Sequence, residues 1–174
     1  MAWQISHGKL SHSPPIISSV KGNAMPFGFS FISENAIFVA DPSFGASILN
    51  LNQYRDITEH ARITISNQTA TCWTQYSLTL NELYSFDAGV DKMSTIDAST
   101  GLLKSPIPVQ TDRNLMNAGL LDSAIKDGNL YSLAKANGIT AVDLRRKRQI
   151  QFFDLSAFGD RHYYQGLALW PSSW

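Results

Sequence analysis

The chain has 174 residues, 14 basic and 14 acidic side chains, and 11% aromatic against 16% charged residues. That length carries one domain with a real core, and the neutral, sparsely charged composition argues against a nucleic-acid surface, which would show clustered Lys and Arg. No run reaches the length of a membrane span, and residues 1–17 lack the charged start and unbroken apolar centre of a signal peptide, which predicts a soluble, cytoplasmic chain with secretion as the alternative. Cys72 stands alone, so no internal disulfide forms and the redox compartment stays open. Asn67-Gln68-Thr69 matches a glycosylation acceptor, which matters only on the secretory route.

In chain order, Ala2-Trp3-Gln4-Ile5 reads as a strand, His7-Gly8 as a turn, and Pro15-Ile16-Ile17-Ser18 as an outer strand, where proline is tolerated because its missing N–H would face solvent. Together they make a partial unit over residues 2–19. Three fuller units follow, at about 24–65, 68–109 and 119–155. Each opens on an apolar or alternating run, Phe27 to Phe31, Ala70 to Thr74 and Leu121 to Ile125. A second run follows at Ile37-Phe38-Val39-Ala40-Asp41, Leu83-Tyr84-Ser85-Phe86-Asp87 and Leu130-Tyr131-Ser132-Leu133-Ala134. A third covers 47–51, 94–97 and 139–143, and a fourth covers 61–65, 107–109 and 149–153. Turn residues such as Ser33-Glu34-Asn35, Ser99-Thr100-Gly101 and Asp127-Gly128-Asn129 separate them. Last, Gly166-Leu167-Ala168-Leu169-Trp170 reads as the first strand of one more unit.

The second runs set the period. Ile37, Leu83 and Leu130 are equivalent at offsets of 83 − 37 = 46 and 130 − 83 = 47, and a fixed period of this size marks units that bury their apolar faces only by stacking. Four short strands per unit predict an all-β chain forming part of a β-propeller made of four-stranded antiparallel blades. A helical solenoid would need an i, i+3, i+4 pattern that these runs lack. Half a blade, three whole blades and one strand fall short of a closed ring of roughly 4 to 8 blades. The apolar flanks of the end blades are expected to be exposed, and the chain is expected to pair with a second propeller half or a second copy of itself. The basic run Arg145-Arg146-Lys147-Arg148 falls at the turn between a third and a fourth strand, where a solvated turn is expected in preference to a phosphate site.

Three phrases carry a resemblance: Met25-Pro26-Phe27-Gly28-Phe29-Ser30-Phe31 leading to Ile37-Phe38-Val39-Ala40-Asp41, then Ala70-Thr71-Cys72-Trp73, then Leu83-Tyr84-Ser85-Phe86-Asp87-Ala88-Gly89. Their order and spacing resemble the later blades of the fungal 3-carboxymuconate cyclase-like proteins, a branch of the lactonase-type seven-bladed propellers. The likeness runs from Ala2 to Pro171 and covers about half of such a protein. It implies a small-molecule enzyme: a cyclase or lactonase on small acids, or a catalyst of hetero-Diels-Alder ring closure in fungal tropolone-sesquiterpenoid pathways. The early blades of the family are missing from this sequence, which puts in doubt any activity that needs both halves.

In a propeller the loops leading into the first strands, and those joining second to third strands, crowd one mouth of the channel, where binding residues collect. Here those loops hold Asn23, Met25, Phe27, Phe44, Thr69, Asn117, Lys135, Asn137, His162, Tyr163, Tyr164 and Gln165. Apolar walls with scattered amides and one amine describe a small-molecule pocket. Such a pocket suits catalysis by positioning, with Lys135, Asn117 or Tyr164 polarising a substrate carbonyl; Tyr163 and Tyr164 can equally be packing residues at a seam. No cofactor and no metal are expected, since the four histidines, His7, His12, His60 and His162, show no zinc-type spacing. Asp41 and Asp87, at equivalent places, either hold a hard cation between them or cap their own turns. Cys72 sits in an inner strand as a structural thiol without an evident base beside it. A cofactor-free cyclase is the leading reading, with lactone chemistry on a small carboxylic acid and a non-catalytic scaffold as alternatives.

Overall fold

The computed structural model describes residues 5–52, 56–110, 119–135, 137–160 and 164–170. A short hairpin comes first, β1 (Ile5–Ser6) with β2 (Lys9–Leu10). Three four-stranded antiparallel sheets follow, each a simple meander. Blade 1 is β3 (Phe29–Ser33), β4 (Ala36–Asp41), β5 (Gly45–Leu51) and β6 (Ile57–Thr64). Blade 2 is β7 (Thr71–Ser77), β8 (Glu82–Asp87), β9 (Lys92–Asp97) and β10 (Ile107–Pro108). Blade 3 is β11 (Leu120–Lys126), β12 (Asn129–Ala134), β13 (Gly138–Asp143) and β14 (Arg148–Asp154). The chain is thus all-β and forms part of a β-propeller. Among the described residues no helix is long and apolar enough to cross a membrane.

Turn chemistry sets the strand ends. His7 and Gly8 both take positive φ, 50° and 74°, as do Asp127 and Gly128 at 52° and 77°, the backbone of a two-residue turn whose twist matches the strands it joins. The first of these turns fixes the outer strand at Lys9–Leu10, where Ser6 pairs with Lys9 and Ile5 with Leu10. Within the stretch expected as an outer strand at residues 15–18, Ile16 forms an isolated β-bridge.

Strand alternation gives every blade two different faces. In blade 1, Phe38, Ala46, Ile48 and Ile63 point toward blade 2 and meet Leu83 and Ile96 there. In blade 2, Tyr84, Phe86, Met93 and Ile107 point the other way, onto Leu120, Leu130, Val142 and Leu144 of blade 3. The trailing face of one blade thus packs on the leading face of the next, twice along the chain. The inner strands are also tied across blades. The Ser30 hydroxyl donates to the Thr74 carbonyl at 2.9 Å and the Gln75 amide to the Ser123 carbonyl at 2.5 Å. At the outer rim β10 is only two residues long. Gln149 of blade 3 holds its far end, donating to the Gln110 carbonyl at 2.8 Å and accepting from the Gln110 N–H at 2.7 Å.

The end faces depart from the expected open flanks. Val39, Ser47 and Leu49 lie on the leading face of blade 1 yet are buried, because the segment before β3 lies over them. That segment is pinned by Asn23, whose amide donates to the Ser47 hydroxyl at 2.9 Å, and by Arg62, which donates to the Lys21 and Gly22 carbonyls. On the trailing face of blade 3, Leu133 and Ala141 are buried, with Leu155 and Tyr164 from the following stretch against that face. Residues 166–170 form no strand. The Leu167 N–H donates to the Asp122 carboxylate at 2.9 Å.

Candidate functional site

The mouth of the stack is built by a device that repeats in blades 1 and 2. At the end of β8, Asp87 turns its carboxylate inward. One oxygen accepts the N–H groups of Thr69 and Ala70 at 2.7 and 2.9 Å and the Thr71 hydroxyl at 3.3 Å, and the other accepts the Gly89 N–H at 2.8 Å. The loop leading into β7 is thereby clamped to the β8–β9 turn. Asp41 does the same in blade 1, accepting the Met25 N–H at 3.1 Å and the Ser43 N–H at 2.9 Å, together with the Ser43 hydroxyl. Burial works to raise the Asp41 pKa, but the Ser43 and Met25 bonds and the Arg62 charge outweigh it and hold it below the ordinary carboxylate value. Of the two readings open for these aspartates, turn capping is what the geometry carries out. Among the described residues no group of three His, Cys, Asp or Glu gathers for a metal.

Blade 3 has Ala134 where the other two have an aspartate. The backbone rung survives: the Lys135 N–H donates to the Gly119 carbonyl at 3.1 Å, as the Ala88 N–H donates to the Ala70 carbonyl at 2.9 Å in blade 2. Gly119 itself has φ 67°, and a Cβ on it would meet the Ala88 carbonyl carbon at 2.2 Å, so the approach of this loop to the preceding blade requires glycine. A cavity of about 180 Å³ is lined by Leu121, Leu133, Ala134, Lys135, Gly138, Leu155, Tyr164 and Gln165. It brings together Lys135 and Tyr164, two of the three residues expected to act on substrate, along with Gln165. The floor is leucine. An apolar hollow on the order of 150 Å³ accepts a benzene-sized ring, and this cavity has comparable volume. It lies between the trailing face of blade 3 and the 155–165 stretch, whereas the sequence pointed to the channel mouth shared by all blades.

The remaining expected residues are elsewhere. Asn117, His162 and Tyr163 fall outside the described residues. Asn23 accepts from Arg62 at 2.9 Å while donating to Ser47, and the Arg62 guanidinium stacks 4.1 Å from the centroid of Phe44, so both expected residues belong to the staple on blade 1. Phe27 meets Trp73 edge-on at 5.7 Å, and Met25 beside it is exposed. Thr69 packs against Gly89. The Asn137 amide donates to the Gly159 carbonyl at 3.3 Å and steadies the stretch after β14. The Cys72 thiol is half-buried, and burial, helped by the Asp87 charge, pushes its pKa up, so it stays protonated and is a poor nucleophile.

One constellation had no sequence signal. Glu82, at the start of β8, accepts the Tyr84 hydroxyl at 2.7 Å and Lys104 at 3.3 Å, and also Lys147. Lys104 also pairs with Asp97 at 3.0 Å. Burial would raise the Glu82 pKa, yet its bonds to Lys147, Tyr84 and Lys104 prevail and lower it. The same burial, with Glu82 as neighbour, raises the Tyr84 pKa far above the usual phenol value. Lys147 belongs to the basic run expected to be a solvated turn. Instead its φ of 53° bends the turn and the ammonium reaches blade 2, while Arg146 pairs with Asp143 at 2.6 Å.

The comparisons agree on architecture. No family model matches the chain, and no curated protein sequence matches it. Among solved structures it is similar to a chain of the nidogen/laminin complex, at 16% identity and TM-score 0.59, covering 84% of this chain and 52% of that one. It is also similar to the computationally designed Ika4 protein, at 13% identity and TM-score 0.62, covering 91% of this chain and 89% of that one. A third likeness is to the RRP9 WD40 repeats, at 11% identity and TM-score 0.63, covering 77% of this chain and 40% of that one. The class is therefore a propeller-type protein of four-stranded antiparallel blades. The chain spans about half or less of the nidogen/laminin and WD40 chains and nearly all of the designed one.

Proposed function

We propose that this chain binds a small carbonyl-bearing organic molecule in the blade 3 cavity and promotes its ring closure without a cofactor. The observation behind it is the meeting of Lys135, Tyr164 and Gln165 on a leucine-floored hollow sized for one ring. The leucines would hold an unsaturated ring by shape while the amine or phenol donates a hydrogen bond to its carbonyl oxygen. That bond draws electron density toward the oxygen and lowers the barrier to attack by an alkene at the conjugated carbon. In a hetero-Diels-Alder closure two π bonds become two σ bonds, and no atom is lost, so positioning and one donor suffice. The resemblance of residues 25–41, 70–73 and 83–89 to fungal cyclase-type propellers supports the same reading.

The test is to incubate the chain with an ortho-quinone methide precursor and an electron-rich alkene, following rate and enantiomeric excess. The expected result is an enantiomeric excess above the buffer reaction that disappears in Lys135→Ala and falls in Tyr164→Phe. A racemic product at the buffer rate would sink the reading.

A further inference from the structure

We infer that Asn67 is the acceptor of an N-linked oligosaccharide, which the loop between β6 and β7 holds out from the mouth of the stack. Asn67-Gln68-Thr69 is the one Asn-X-Ser/Thr triplet in the 174 residues. A glycan is bulky and must stay in water, so such a triplet becomes a site only where the fold turns its asparagine outward and asks nothing else of the amide. Both conditions hold here. The inference is independent of the cavity, which none of residues 66–70 lines.

The three residues are sorted by direction. Asn67 is exposed, with φ 57°, a left-handed backbone that asparagine accepts more readily than most residues. Gln68 turns inward: its amide donates to the Pro42 carbonyl of the β4–β5 turn at 2.6 Å, and its own carbonyl oxygen accepts the Thr71 N–H at 3.3 Å. Thr69 is exposed again, and its N–H donates to Asp87 at 2.7 Å. Residues 68 and 69 thus moor the loop to blade 1 and to blade 2, and Asn67 is left on the solvent side.

Other asparagines show what an engaged amide does. Asn23, Asn81 and Asn137 donate to Ser47, Ser99 and the Gly159 carbonyl at 2.9, 2.7 and 3.3 Å, and none of them begins a triplet. The Asn67 amide makes no such bond among the described residues. Turn geometry alone explains an asparagine at 67, as it does at 81 and 137, where φ is also positive. It does not explain the hydroxyl two residues on. The clamp to Asp87 through residue 69 uses the backbone, and the packing against Gly89 is led by Thr69 Cβ and Cγ2. A valine would serve the fold as well; only the triplet needs the oxygen. Cys72, the single thiol, is half-buried and held protonated, which suits it to an oxidising compartment, where an exposed thiolate would be captured. In the transfer, Asn67 Nδ2 bonds to the anomeric carbon of an oligosaccharide as that carbon's bond to a lipid-diphosphate carrier breaks. The diphosphate leaves with the electron pair, and the amide gives up one proton.

Expression of the full chain behind a cleavable leader in a eukaryotic secretory host tests this, with protein taken from lumen and medium alike. The expected result is a single upward step from 19.3 kDa that peptide N-glycosidase removes, with the deamidation it leaves mapped to position 67. Thr69→Val should abolish the step, and Thr69→Ser, which keeps the hydroxyl, should retain it. Transfer acts on the incoming chain, so the step reads out whether or not a variant folds well. A wild-type chain that stays unmodified, or a step that survives Thr69→Val, overturns the inference. A urea midpoint that rises when the glycan is removed overturns it too, because the folded loop then has no room for the sugar.

Discussion

At one place in the repeat, blades 1 and 2 carry a carboxylate and blade 3 carries a methyl group. Asp41 and Asp87 gather N–H groups that the loops would otherwise leave unpaired, and the loops close onto the turns. Ala134 has no carboxylate with which to gather any, and only the Lys135-to-Gly119 backbone bond remains there. The same scaffold therefore carries a side-chain clamp at this place in two blades and only the backbone rung in the third. The channel-side frame is common; the difference is local.

Substitution at the three equivalent positions breaks this comparison most sharply. Asp87→Ala strips three backbone N–H groups of their acceptor, and the expected loss is about 3 kcal/mol, at 1 or more for each stranded donor. Asp41→Ala strips two and should lose about 2 kcal/mol. Ala134→Gly removes no acceptor and should lose only about 1 kcal/mol, the backbone-entropy effect of glycine in a strand. Urea midpoints of the three variants give the ranking, and an equal loss at all three would refute the clamp.

The cross-blade network is next in size. Glu82→Gln leaves Lys147 and Lys104 beside a neutral amide, with an expected loss of about 2 kcal/mol, below a fully buried pair because both lysine heads keep contact with water. Acid should act on the same two carboxylates. The folded pKa values of Asp41 and Glu82 are depressed below their ordinary 3.8 and 4.5, so the folded state binds fewer protons than the unfolded one. Their stabilisation is complete above those ordinary values and disappears as pH falls through the lower folded ones. Urea midpoints taken near neutrality and at acid pH should therefore drop more in the wild type than in an Asp41→Asn/Glu82→Gln double variant. The smallest effects belong to the cavity: Lys135→Ala should change stability by less than about 0.5 kcal/mol, as an exposed position does, while abolishing the stereochemical bias described above. A destabilised but still selective variant would reverse that assignment.

The sequence displays what is local and repeated. Ile37, Leu83 and Leu130 recur because every blade needs a buried second strand, and His7-Gly8 and Asp127-Gly128 announce turns that only positive φ can make. What it conceals is contact between distant residues that no period relates. Lys147 and Glu82 lie 65 residues apart, and nothing in a basic turn tells which of its cations reaches back across an interface. The coverage of the leading face is hidden for the same reason, since the place of residues 21–23 depends on bonds of Asn23 and Arg62 to distant residues. Lys135 and Tyr164 were expected at the channel mouth; that they line one hollow on the trailing flank of blade 3 is a long-range contact no period announces.

The side chain of Gln149 has a consequence of its own. By offering a donor and an acceptor to Gln110 in the manner of a strand, it finishes the hem of a blade whose own fourth strand stops after two residues. Amide protons around Ile107 should then exchange with solvent only when the neighbouring sheet also loosens, so the two blades unzip from the rim as one unit, and shortening that glutamine would let the seam come apart separately.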